Sequence, residues 1–233
     1  MKYLLVSAAD TAGWDSTLKD AQDAGTQTIL FDRVVDADED LYVASVVSDM
    51  AKEGETAVKW LADQKLDEYN IIHIQGVMGS AAQVGRSDAL DAAAKENGWN
   101  LVSQQTADWN AETAQQITQS VIDSGQSFNV IYAENDDMAR GAVAALDASG
   151  ITHGKDGDVV IMGFDHNTWA LEEVMKGTWN FDGQCNPYQA STILDIINQL
   201  EEGKTPEEKT VIMEEGYADC DNITQEYIDE KGI

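Results

Sequence analysis

Phe128-Asn129-Val130-Ile131-Tyr132-Ala133-Glu134-Asn135-Asp136-Asp137-Met138-Ala139-Arg140-Gly141-Ala142-Val143 decides the fold. Phe128 to Tyr132 is a short apolar run rich in β-forming residues, so it reads as a buried strand. The chain then meets a polar tip and turns at once into a helix. Asn135 and Asp136 suit a helix N-cap, and Met138, Val143 and Leu146 follow at helical spacing. Both polar residues therefore stand at the carboxyl end of a strand, where open α/β sheets bind ligands. On this stretch alone, capping the helix and contacting a ligand are both open to them.

The same alternation runs outward in both directions. Tyr3 to Ser7 reads as a strand, Trp14 to Ala24 as a helix ended by Gly25, and Thr28 to Phe31 as a strand ending in Asp32-Arg33. The acidic loop Asp36 to Asp40 lacks the glycine and terminal Glu of a calcium loop and reads as a solvated turn. An extended Leu41 to Val47 leads to a helix reaching about Gln64. A strand over Asn70 to Gln75 is followed by the small residues Gly76 to Ser80 and a helix from Ala81 to Asn97 that carries Arg86. Leu101 to Gln104 is a strand ending near Asp108-Trp109, and a helix over Ala111 to Ser124 returns to the opening stretch. Beyond Gly150 come a strand over Val159 to Met162 closing in Gly163-Phe164-Asp165-His166, a short helix, an extended Trp179 to Gln184, and Cys185-Asn186-Pro187. Strand and helix in alternation imply parallel sheets with right-handed crossovers and helices on both faces. The strand count exceeds one comfortable sheet, which favours two lobes.

The 233 residues carry 14 basic and 43 acidic side chains, a formal net charge of -29. Such a chain repels phosphate backbones and anionic membranes, so nucleic acid is excluded as an expected partner. No stretch approaches the length of a membrane span. Met1 to Val6 is too short for an export leader. Cys185 and Cys220 fit no zinc spacing; they are either two thiols or one disulfide of an exported protein. No nucleophile elbow, phosphate loop, dinucleotide fingerprint or zinc-protease spacing is present, so neither an enzymatic activity nor a cofactor is expected. Gly76-x-x-Gly79-Ser80 lacks the lysine of a phosphate loop. The three histidines form no metal set: His73 reads as a strand residue with a satisfied ring, His153 as a loop residue, and His166 as a surface residue.

Taken together, these strand tips resemble the periplasmic sugar-binding proteins of the ribose/galactose type, the substrate-binding components of ABC importers. Tyr132-Ala133-Glu134-Asn135-Asp136-Asp137-Met138-Ala139 with Gly141-Ala142 resembles the signature after that family's central strand. Val160-Ile161-Met162-Gly163-Phe164-Asp165 resembles a later one, and Phe31-Asp32-Arg33 resembles the pair ending a strand of the first lobe. Thr11-Ala12-Gly13-Trp14 and the Gly76 to Gly79 loop are nearest the galactofuranose-binding branch. The resemblance implies two doubly wound parallel-sheet lobes of the type I periplasmic-binding-protein kind. The first would comprise residues 1–46 with 186–214, and the second 47–185 with 215–233. It also implies a strand-helix-strand-helix section before Tyr3, about 60 residues at ~30 per βαβ unit. The chain is therefore expected to be truncated at its amino terminus and its first lobe incomplete, with an unpaired strand edge at Tyr3 to Ser7.

By the same resemblance, Asp32 accepts from sugar hydroxyls, Arg33 and Arg86 donate, Trp109 packs on the ring, Asn135 donates and accepts, and Asp165 takes a bidentate pair of hydroxyls. Each has a plainer alternative: Asp32 and Arg33 pairing with each other, Arg86 as a solvated helix residue, Trp109 as core, Asp165 as a helix cap. Where the family often has Gln two residues before the proline, this chain has Cys185, with Gln184 on the opposite side of the extended segment. Cys185 then either stays reduced or bonds Cys220 and pins the interlobe segment to the tail. The lobes would be joined near Ala44 to Ser48, Gln184 to Pro187 and Met213 to Gly216, and would close on a monosaccharide outside the cytoplasm for delivery to a membrane permease. A LacI-type regulator's sensing core, or a partner presenting sugar to a chemoreceptor or sensor kinase, would share the fold.

Overall fold

A computed structural model describes residues 1–233. In chain order the elements are β1 (Tyr3–Val6), α1 (Asp15–Asp23), β2 (Gln27–Asp32), a 3-10 turn (Glu39–Leu41), β3 (Ala44–Val47), α2 (Met50–Asp63), β4 (Asn70–Gln75), α3 (Ala81–Asn97) and β5 (Asn100–Thr106). There follow α4 (Ala111–Ser124), β6 (Val130–Ala133), α5 (Asp136–Ala148), β7 (Val160–Phe164), α6 (Thr168–Lys176), β8 (Phe181–Gly183), α7 (Ala190–Glu201), β9 (Thr210–Ile212), β10 (Tyr217–Asp219) and α8 (Gln225–Lys231).

The chain divides into two units. One is Met1–Asp49, Gly79–Ala81 and Asn186–Glu215; the other is Met50–Met78, Ala82–Cys185 and Gly216–Ile233. The sequence places the divisions after 46, 185 and 214 and does not anticipate the separate placement of Gly79–Ala81.

The first unit holds a four-stranded parallel sheet in the order β1-β2-β3-β9. Ile29, Ala44 and Val46 on its strands meet Ile193 and Ile196 of α7. Strand β1 lies at the end of the sheet, with its outer edge unpaired and Leu5 exposed.

The second unit holds six strands in the order β10-β8-β7-β6-β4-β5. The alternation along each strand sorts apolar side chains to two faces. Ile72, Ile74, Ile131, Ala133 and Ile161 pack with α4, α5 and α6 on one side. Ile71, Val130, Tyr132, Met162, Phe164 and Phe181 pack with Ala57 and Leu61 of α2 and Leu90 of α3 on the other. Strand β10 runs antiparallel to β8, a departure from the all-parallel expectation. Its three residues are too few for a periodic pattern to reveal. The sequential order reverses at β4, with β5 on one side and β6 on the other, so the carboxyl ends of β4 and β6 frame a switch point.

Candidate ligand-binding site

In the second unit the switch point is organised by Glu134, at the end of the β6 segment. Its side chain is fully buried. The Gly76 N–H donates to Glu134 Oε2 at 2.7 Å, and the Ser87 hydroxyl donates to Oε1 at 2.6 Å. His73 Nε2 lies 2.9 Å from the same Oε1. One carboxylate thus fixes the loop after β4 and the first turns of α3. His73 departs from expectation: its Nδ1 is buried without a partner.

Arg86 projects from α3 and is buried. Its Nε and Nη2 approach Glu53 Oε2 at 2.8 and 2.7 Å, and Nη1 donates to the Glu134 carbonyl. Nη2 also lies 3.5 Å from Asp165 Oδ1, and the guanidinium stacks on Phe164 with 4.5 Å to the ring centroid. The solvated-helix alternative for Arg86 is therefore wrong. Burial alone would lower its pKa, but the Glu53 and Asp165 carboxylates outweigh it and raise it further, so the cation is permanent.

Asp165 follows β7 in a turn that few side chains adopt, with φ of 116° at Asp165 and 67° at His166. It caps no helix: Asn167 holds the N-cap position of α6. The Asp165 side chain is 30% exposed and points its Oδ1 at Arg86. Burial pushes its pKa up to about 6 against the opposing pull of Arg86, with Asp182 raising it further. Asn135 caps α5, its Oδ1 accepting from the Met138 N–H at 2.9 Å. That bond engages one of the two lone pairs of Oδ1, and Nδ2 is the donor end of the amide. Trp109, at φ 64°, lies with its six-membered ring on Gly76. A Cβ on Gly76 would come within 1.9 Å of Trp109 Cη2. The indole packs against the core cluster that includes Ile74 and Ala107 yet remains partly exposed.

Arg86, Trp109, Asn135 and Asp165 thus collect at the carboxyl ends of β4 to β7. They offer a cation, an anion, an amide donor and an aromatic face.

In the first unit, Asp32 and Arg33 stand at the end of β2. Arg33 Nε is 3.4 Å from Asp32 Oδ2, so the two do pair, with about a third of each side chain exposed. The Ser7 hydroxyl donates to the same Oδ2 at 2.9 Å, and the Asp32 N–H donates to Gln189 Oε1 at 2.7 Å. A partly exposed pair of this kind is worth little to stability.

Two expectations need correction. Cys185 and Cys220 are not joined. Cys220 Sγ faces the carbonyls of Trp179 (3.2 Å) and Val174 (3.7 Å), and both thiols are partly buried. His166 is fully buried, not at the surface, because its positive φ turns the ring inward onto Asp182. Gln184 spends its side chain on the Gly216 N–H. Sequence reasoning missed Glu53, Asp182 and Gln189. Asp182 could have been found: Phe181-Asp182-Gly183 is an apolar-flanked run in which a carboxylate must face inward.

Two crossed sets of observations, fold and strand-tip chemistry, define a class. Residues 1–205 match the periplasmic binding protein domain, and the chain belongs to that family. Among curated relatives it is 26% identical over 216 residues to galactofuranose-binding protein YtfQ of Escherichia coli strain K12, covering 90% of this chain and 67% of YtfQ. It is 26% identical over 210 residues to fructose import binding protein FruE of Bifidobacterium longum, covering 88% and 63%. With ribose import binding protein RbsB of Escherichia coli strain K12 it shares 27% over 164 residues, covering 70% and 53%. The chain therefore spans 53% to 67% of the length of these relatives. A solved galactofuranose-binding protein superposes with a TM-score of 0.90 at 24% identity, covering 99% of this chain and 79% of that one. A Mycobacterium smegmatis protein in complex with β-D-fucofuranose gives 0.87 at 27% identity, covering 94% and 73%. No helix is long and apolar enough to cross a membrane.

Proposed function

We propose that the chain is the sugar-capturing part of an extracytoplasmic ABC importer, binding one monosaccharide and presenting it to a membrane permease. The observation that carries this reading is the placement of Arg86 against Asp165, beside Asn135 and Trp109, at the switch point of the second unit. A sugar presents hydroxyls that donate and accept, and one fairly apolar ring face. Ionised Asp165, held in place by the buried Arg86, accepts from hydroxyls; the Asn135 amide donates; the Trp109 indole covers the apolar face. Asp32 and Arg33, at the end of β2 in the first unit, offer an acceptor and a donor of their own. No bond in the sugar is made or broken. Furanose ligands are favoured, because relatives named for galactofuranose and complexed with fucofuranose are among the most similar.

Calorimetric titration of the chain with a panel of furanose- and pyranose-forming monosaccharides tests this. Saturable binding of at least one at a single site is expected. Failure of every sugar to bind a folded, cooperatively melting sample would overturn it.

A further inference from the structure

Behind the Asp165 turn lies a buried acidic pair that the sugar contacts do not use. Asp136, the first residue of α5, and Asp182, in β8, are both fully buried. Each has one oxygen fully employed. Asp136 Oδ2 accepts from the Asn167 N–H at 2.9 Å and from Asn167 Nδ2 at 3.0 Å. Asp182 Oδ1 accepts from the His166 N–H at 3.2 Å and lies 2.9 Å from His166 Nδ1. The remaining oxygens, Asp136 Oδ1 and Asp182 Oδ2, meet no ordinary donor. The two carboxylates accept from consecutive backbone N–H groups, those of His166 and Asn167, which sets them side by side.

We infer that Asp136 and Asp182 share one proton at neutral pH, and that this proton-held pair positions the Asp165–Asn167 turn. Two buried carboxylates in contact cannot both ionise at tolerable energy. A single proton between them resolves the conflict and supplies the missing hydrogen bond. The surroundings offer little else. From β7, Gly163 leaves no room for a side chain, since a Cβ there would sit 2.7 Å from Asp136 Oδ1. Asp165, also from the end of β7, adds negative charge, and Asp137 on α5 acts in the same sense on Asp165. Arg86 spends its donors on Glu53, Glu134 and Asp165. His166 is the one cationisable ring in contact, and its Nε2 is 3.0 Å from the Tyr227 hydroxyl of α8. Burial first, then the charge of Asp182, holds the Asp136 carboxyl well above the ordinary carboxylate range.

The pair explains how the turn survives. Asp165 and His166 both hold positive φ, a conformation that persists only when neighbours over-determine it. Asp182 holds the His166 N–H and Asp136 holds the Asn167 N–H, so two consecutive backbone donors end on the two halves of one proton-linked unit. Loss of the proton would leave two facing anions and loosen the peptide that presents Asp165. The consequence for affinity rests on the sugar-binding reading; the measurements that follow do not.

Infrared spectra at about pH 8, above the ordinary carboxylate range, should show the carbonyl stretch of a protonated carboxylic acid. Asp136→Asn should abolish it, and Asp182→Asn, which changes the group facing the acid, should shift its frequency. Urea melts from about pH 5 to about pH 9 should show the wild type losing stability as pH rises. Asp136→Asn, whose amide donates where the shared proton did, should keep the fold and flatten that slope. Asp136→Ala should be destabilised at every pH. Absence of the band in wild type at about pH 8, or an unchanged slope in Asp136→Asn, would overturn the inference. If a variant fails to fold, the wild-type band alone decides.

Discussion

Arg86 Nη2 lies 3.5 Å from Asp165 Oδ1 while the same guanidinium grips Glu53 Oε2 at 2.7 and 2.8 Å. The buried contact holds the cation in place, and the longer contact sits where Asp165 meets solvent. Asp165 is thus oriented by a group that is itself immobile, and its outward side remains free for hydroxyls.

Removal of Glu53 therefore strands a buried cation. Breaking such a pair from one side costs about 3–5 kcal/mol. Glu53→Ala should lose stability of that order in urea unfolding, and Glu53→Gln should lose less because one acceptor oxygen remains. A loss below about 1 kcal/mol for Glu53→Ala would mean that Arg86 has other ways to be satisfied.

Gly76 and Trp109 form a second coupled pair. Gly76→Ala drives a methyl into the indole and should cost about 1–3 kcal/mol, the usual range for overpacking. Trp109→Ala should relieve that strain. A double-mutant cycle read by urea unfolding should give a coupling energy of about 0.5–3 kcal/mol. Additive effects would show that the ring does not rest on Gly76.

Asp165 should make stability and affinity run in opposite directions with pH. Its pKa is raised from 3.8 to about 6, first by burial. A raised carboxyl pKa favours folding fully below the unfolded value, and that contribution is lost as pH rises through about 6. In the proposed site the ionised form is the acceptor, so affinity should fall as pH drops through the same range. Titrations across that range for wild type and Asp165→Asn should show the dependence in the first and its loss in the second.

The thiols give a simpler check. Cys220 Sγ is engaged with the Trp179 and Val174 carbonyls, and no bond joins it to Cys185. Unfolded, unreduced protein should titrate two thiols per chain. Zero would restore the disulfide.

Much of the fold was legible because its signals are local. The α3 and α4 spans, Ala81–Asn97 and Ala111–Ser124, coincide with the helices expected from the sequence. Strand tips were legible for the same reason: Asp32, Asn135 and Asp165 each close an apolar run. What escaped depends on distant partners. Glu53 looks like any helical surface glutamate until Arg86, 33 residues away, arrives beside it. His166 looks exposed because it follows a tip residue, and only its positive φ and Asp182 bring it inside. β10 has too few residues to carry a pattern and exists because β8 has a free edge.

The most direct test of sugar capture is a calorimetric titration of wild type and Asp165→Ala with whichever monosaccharide the panel identifies. Charged hydrogen bonds of this kind contribute about 1.5–3 kcal/mol, so Kd should weaken by roughly 10- to 100-fold. An Asp165→Ala variant that binds the sugar as tightly as wild type would contradict the account.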